Sequence, residues 1–156
     1  MVIIGIDPGF SGAIAIWRPA IRQLYVYDMP IVPNSKGKSE IDMHTLHDLL
    51  APEDDQRHLA VVEQVSAMPG QGVSSMFRFG QGFGIVQMAL AAHKIETHYV
   101  TPATWKKHFG LNREKGVSRG LAMRRVPSAA DLFKRVKDDG RAEATLLALY
   151  GEEKVR

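Results

Sequence analysis

The stretch Val2-Ile3-Ile4-Gly5-Ile6-Asp7-Pro8-Gly9, followed by Ser11-Gly12, decides how the rest of the chain is read. Its apolar run has the length and branching of a strand buried on both faces, and Pro8-Gly9 breaks it. A carboxylate ending such a strand is costly, because burial without compensation shifts its pKa until it neutralises. Asp7 is therefore either a turn cap ahead of Pro-Gly or part of a charged site. After Gly12 a second strand, Ala13-Ile14-Ala15-Ile16-Trp17, runs up to Pro19, and a third follows, Gln23-Leu24-Tyr25-Val26-Tyr27-Asp28. Strands joined by breaks this short form an antiparallel meander.

Further along, residues 30–40 carry Pro30, Pro33 and Gly37 and read as a polar loop. Leu46, Leu49 and Leu50 sit at helical spacing and Pro52 closes that helix. Leu59-Ala60-Val61-Val62-Glu63 is another apolar strand. Between Ser66 and Gly84 lie five glycines (70, 72, 80, 82 and 84) interleaved with Met68, Met76, Phe77 and Phe79. This predicts a mobile loop running into a helix that continues through Ile85, Met88 and Leu90 to Ala92. A strand over Glu96–Val100 precedes a helix start in which Thr101 caps and Pro102 takes the first helical position. That helix carries Trp105, Lys106 and Lys107 and stops at Gly110. Basic helices are predicted over Val117–Arg125 and Ser128–Val136. A last helix runs from about Arg141 to Tyr150, with Gly151 as its stop. The order predicts one α/β domain over 1–156, with a mixed five-stranded sheet (three antiparallel strands, then parallel ones) flanked by helices.

Composition narrows the function. The chain has 156 residues, 45% apolar and 24% charged, which suits one globular domain. With no cysteine there is no disulfide framework, thiolate zinc site or Cys nucleophile. No apolar run reaches the ~18 residues of a membrane span, and the N-terminus lacks the pattern of a signal peptide, so a soluble, cytoplasmic protein is expected. The six histidines show no metal spacing. Between Trp105 and Lys137 stand ten basic residues against two acids, a local charge of +8 that leaves −5 for the rest of a chain whose net charge is +3. Such a block favours a polyanionic partner, since each cation that neutralises a phosphate releases a counterion.

The acids are not mere solubilising charge. Glu63 ends its apolar strand as Asp7 does, and neighbouring strands would bring both carboxylates to one sheet edge, where α/β folds place their sites. In Lys137-Asp138-Asp139-Gly140-Arg141-Ala142-Glu143-Ala144, Asp139 and Glu143 are four apart and share a helix face, while Asp138 suits an N-cap. Carboxylates gathered this way repel, and a divalent cation removes the penalty.

Gly5-Ile6-Asp7-Pro8-Gly9, the Val61-Val62-Glu63 strand end and Asp139-Gly140-Arg141-Ala142-Glu143-Ala144 resemble, in order and spacing, the RuvC family of Holliday-junction resolvases within the RNase H-like fold. Thr101-Pro102-Ala103-Thr104-Trp105-Lys106 is similar to the Pro-x-x-Trp-Lys segment of phage and prophage members. The resemblance covers Ile3 to Tyr150. It implies a cytoplasmic homodimer, in a bacterial or phage-infected cell, that hydrolyses opposed strands of a four-way DNA junction. It implies two Mg²⁺ ions per site, with Mn²⁺ able to substitute, held by Asp7, Glu63, Asp139 and Glu143, and no nucleotide cofactor. Family members usually carry the last two acids three apart, not four, so Asp138 replaces or assists Asp139 as an alternative ligand. Lys106 is the implied catalytic lysine, with Lys107 and Lys115 as alternatives. Lys106, Lys107, Arg113, Lys115 and Arg119 are expected on DNA, together with Phe77, Arg78 and Phe79, from which an aromatic would stack on an unpaired base.

Three other readings compete. A branched-DNA endonuclease of broader specificity would use the same acids. A non-catalytic DNA-binding protein could share the fold, although negative charge at its DNA face would weaken it. Asp7-Pro8-Gly9 with Ser11-Gly12 also resembles the phosphate hairpin of sugar kinases and actin-like ATPases, which need two such domains.

Overall fold

The computed structural model describes all residues except 67–69, 71, 113, 115 and 156. Its elements are, in order, β1 (Val2–Asp7), β2 (Ala13–Arg18), β3 (Gln23–Asp28), β4 (Ile31–Pro33), β5 (Ser39–Ile41), α1 (Met43–Leu50), β6 (His58–Glu63), α2 (Val73–Ala92), β7 (Glu96–Val100), α3 (Pro102–His108), α4 (Val117–Arg125) and α5 (Asp139–Lys154). Short 3₁₀ turns fill Pro19–Ile21, Pro127–Phe133 and Val136–Asp138.

Five strands form one sheet in the order β3-β2-β1-β6-β7. The meander β1-β2-β3 is antiparallel, and β1, β6 and β7 are parallel. The mixed sheet expected from the sequence is therefore present. β1 is central, and its alternation decides the layers. Val2, Ile4 and Ile6 face one side with Leu46 and Leu50 of α1 and Val86 and Leu90 of α2. Ile3 faces the other, with Val61, Trp105 of α3 and Leu146 to Leu149 of α5. Side chains such as Ile3, Leu146 and Leu147, fully buried, each contribute about 1.5–3 kcal/mol of apolar transfer.

Gly5 shares the Ile3 face and makes the packing of α5 possible, since a Cβ there would run into the backbone of Ala144 and Ala148. Gly151 has the same role at the far end. It is buried within the last turn of α5, which continues to Lys154, and a Cβ would meet Val61 and Ile3. The predicted helix stop at Gly151 is thus corrected, because this glycine supplies space rather than a turn.

Three more expectations are revised. The loop at 30–40 contains a two-stranded antiparallel hairpin, β4-β5. The glycine-rich stretch is helical from Val73 onward, with Gly82 buried against Ile41 of the hairpin. The helix expected over Ser128–Val136 consists of 3₁₀ turns. No described helix is long and apolar enough to cross a membrane.

Candidate active site

Period-two alternation carries the Ile3–Gly5 face of β1 on to Asp7, and the Val61 face of β6 on to Glu63. The parallel register ends with Ile6 opposite Val62, so the last residues of the two strands, Asp7 and Glu63, stand side by side at the sheet edge. Both lie on the α5 side. There α5 begins at Asp139 and presents Glu143 one turn later.

Asp7, Asp139 and Glu143 line one cavity of about 480 Å³, with Ser11, Lys106, Ser118 and Lys137. Glu63 lines an adjoining cavity of about 830 Å³ with Phe79, Lys106, Lys107 and Asn112. Lys106 belongs to both. Its Nζ lies 2.8 Å from Glu143 Oε1, within the acid group.

Each acid is oriented by its own partner. Asp7 Oδ1 accepts the Gly9 N–H at 3.1 Å, the turn contact that Pro8-Gly9 sets up. Even so, burial pushes its carboxyl up to about 7, with the charges of Glu63 and Glu143 adding to the rise and Lys106 and the Gly9 bond opposing it. Glu63 is 8% exposed, and Trp105 Nε1 donates to its Oε1 at 2.9 Å. Burial raises its pKa, while the Trp105 bond acts in the opposite sense. Ser118 Oγ donates to Glu143 Oε1 at 3.3 Å, and Arg119 Nε donates to Asp139 Oδ1 at 2.7 Å.

Trp105 is the functional residue that the sequence reading left without a role. The signal was the Trp-Lys pair itself: Thr101 accepts the Thr104 N–H as cap, and Pro102 starts the helix. The next turn then sends the fully buried Trp105 to Glu63 and Lys106 to Glu143.

Other expected site residues lie elsewhere. Asp138 is 1% exposed and does not line the acid cavity. Its oxygens accept from the Arg135 side chain at 2.8 to 3.2 Å and from the Arg135 backbone N–H at 2.8 Å. Arg135 hydrogen bonding holds its carboxyl below the usual range, so it is a structural cap, and the expectation of it as a ligand is corrected. Arg78 does not stand free on the surface. It lies 5.2 Å over the Phe10 ring and donates to the Ser39 carbonyl, tying α2 to the hairpin. Phe79 reaches the larger cavity, whereas Phe77 is 73% exposed on α2 outside it. Lys107 lines the larger cavity. Arg113 and Lys115 lie outside the described residues.

The donor set is chemically that of a hard divalent cation: carboxylate oxygens, no sulfur, and four acids against the single lysine, Lys106, placed among them. Asp7, Glu63, Asp139 and Glu143 therefore fit such an ion by type and charge. In the conformation seen, no three acids or histidines among the described residues are gathered closely enough to form a ready-made ion site. Lys106 and Arg119 pair with two of the acids instead.

No protein-family model matches the sequence, and no curated protein matches it. Solved structures do. RuvC of T. thermophilus, determined in complex with a Holliday junction substrate, superposes with a TM-score of 0.58 at 13% identity, over 98% of this chain and 95% of that one. The fowlpox virus Holliday junction resolvase gives 0.53 at 16% identity over the whole of both chains. The yeast mitochondrial Holliday junction resolvase gives 0.50 at 14% identity, over 94% of this chain and 75% of its own. The chain has the mixed-sheet, RNase H-like fold of these resolvases.

Proposed function

We propose that this chain is a metal-dependent endonuclease that resolves four-way DNA junctions by phosphodiester hydrolysis on opposed strands, acting as a homodimer. The observation that carries the reading is the set of strand-end and helix acids, Asp7, Glu63, Asp139 and Glu143, lining two adjoining cavities that share Lys106. The fold shared with solved resolvases and the +8 segment from Trp105 to Lys137 support it.

Asp7, Glu63, Asp139 and Glu143 would hold Mg²⁺, or Mn²⁺ in its place. When bound, such ions activate water and neutralise charge at the leaving oxygen. The protein's own part is positioning. Trp105 and the Gly9 N–H fix the Glu63 and Asp7 oxygens, and Ser118 orients Glu143. Lys106 brings a mobile cation to the place where a scissile phosphate would enter, and Lys107 supplies backbone affinity beside it. The apolar lining of the larger cavity, with Phe79, suits an unstacked base, worth about 1–3 kcal/mol. On the far side, Phe77, Gly80, Gly84 and Met88 form an exposed strip along α2, which we assign to the second copy.

The test is incubation with a synthetic four-way junction and a linear duplex, with and without Mg²⁺. Symmetric nicking of the junction alone, lost in Asp7→Asn while junction binding persists, is the expected result. Equal cleavage of both DNAs would favour a branched-DNA nuclease of broader specificity. Binding without cleavage at any metal concentration would leave only a DNA-binding protein.

A further inference from the structure

Two of the four acids are already held by cations of the same chain, and the two cations differ in how they are built in. Lys106 is a point charge on a flexible stem, able to swing away from Glu143. Arg119 is fitted. It sits in the first turn of α4, its side chain is 19% exposed, and besides Asp139 its Nη1 approaches the Lys134 carbonyl at 3.5 Å. The guanidinium folds back over Gly116, where φ is +81° and a Cβ would lie 2.8 Å from Nη2. A side chain at 116 would therefore crowd this arrangement. One residue earlier, the buried Ser118 donates to Glu143. A single helical turn thus grips both of the site acids on α5, Asp139 and Glu143.

We propose that Arg119 is a latch on Asp139, competing with a divalent cation for that carboxylate and being displaced when the ion binds. The inference rests on the reading of the acids as a metal centre. A carboxylate oxygen accepting a charge-assisted hydrogen bond has that lone pair engaged, and the guanidinium and an incoming cation repel at such range. Ion binding and the Arg119–Asp139 pair therefore oppose each other. Once released, Arg119 stands at a cavity already lined by Lys106 and Lys137, where a phosphate is the anion its planar fork suits. The metal-free protein keeps one of its basic arms turned inward, and loading turns it outward.

The experiment measures binding of Mn²⁺ alone, by the EPR signal of the free ion, to the full chain and to Arg119→Ala, Arg119→Lys and Lys137→Ala. Lys137 lines the same cavity and makes no ion pair among the described residues, so its variant reports the general effect of deleting a nearby charge. Arg119→Ala is expected to bind Mn²⁺ at least about tenfold more tightly, the factor a charge-assisted hydrogen bond commands. Lys137→Ala should gain no more than about threefold, and Arg119→Lys should stay near the parent. Equal gains for Arg119→Ala and Lys137→Ala, or no gain for Arg119→Ala, would overturn the latch while leaving the metal centre standing. Absence of Mn²⁺ binding in all four proteins would overturn both. A second readout needs no alanine variant to fold: the ¹⁵N–¹H resonance of Arg119 Nε, assigned by its loss in Arg119→Lys, must move on titration with Mg²⁺. A resonance that stays in place as the ion binds refutes the displacement.

Discussion

Asp7→Asn should make the metal-free protein more stable, and only above acidic pH. In the folded chain the Asp7 carboxyl titrates at about 7, against 3.8 for the ordinary group. The folded state therefore binds the proton more tightly than the unfolded chain. Between those two values stability falls as pH rises, and beyond about 7 the loss is complete. At 1.36 kcal/mol per pH unit the full penalty reaches about 4 kcal/mol. Asparagine keeps an oxygen for the Gly9 N–H but carries no charge to bury or to set against Glu63 and Glu143. Urea unfolding in chelator-treated buffer at a series of pH values between 4 and 8 measures the difference. The variant should match the parent near pH 4 and exceed it by about 2–4 kcal/mol at pH 8, a rise in Tm on the order of 10 °C. A difference that is flat across this range, or a variant less stable at pH 8, would refute the account of Asp7 as a carboxylate held under electrostatic load. Adding Mn²⁺ at pH 8 should narrow the gap, because the ion binds and stabilises only the parent.

Other outcomes follow from single contacts. Trp105→Phe removes the donor to Glu63 and should cost about 1–3 kcal/mol in chemical denaturation, with junction cleavage falling alongside. Asp138→Asn breaks the Arg135 pairing and should destabilise by about 1–3 kcal/mol at neutral pH. Its lowered pKa means that this contribution is present above the ordinary carboxylate value and disappears as pH falls through the folded one, so parent and variant should converge in acid. Mn²⁺ affinity should be unaffected by that change, and a large loss would restore Asp138 as a ligand. Gly5→Ala places a methyl group in the backbone of α5 and should prevent accumulation of folded protein, as judged by circular dichroism and size exclusion.

What the sequence disclosed, and what it concealed, follows from the range of the forces involved. The β1, β2, β3, β6 and β7 segments were legible because long apolar or alternating runs have few alternatives. Asp7 and Glu63 were legible because an acid at the end of such a run is costly. The spacing of Asp139 and Glu143 put both on one face of α5, whereas Asp138 closes the 3₁₀ turn before the helix and pairs with Arg135. Residues 31–41 were opaque because strands of three residues, one of them ending in a proline, carry almost no periodic signal. The start of α2 was hidden by glycines whose low helix propensity is overridden by packing of Gly82 on Ile41 and of Arg78 on Phe10. Gly151 misled for the converse reason, since spatial crowding leaves no trace in local composition. That Arg78 and Arg119 are engaged within the protein, with the Ser39 carbonyl and with Asp139, was equally hidden, because charge counting does not reveal such pairings.

α5 carries two responsibilities that other proteins often divide between a scaffold and a loop. Its Ala144, Leu146, Leu147 and Leu149 lie in the core, and the turn before them carries Asp139 and Glu143. A slip of one residue along the sheet would rotate those carboxylates by about 100° and shift them by about 1.5 Å. The same slip would carry Ala144 and Ala148 off the notch at Gly5. Misalignment of the chemistry is therefore impossible without visible damage to folding. Variants that lose activity through this helix should divide cleanly into those that never fold and those altered at the carboxylates themselves, with little between.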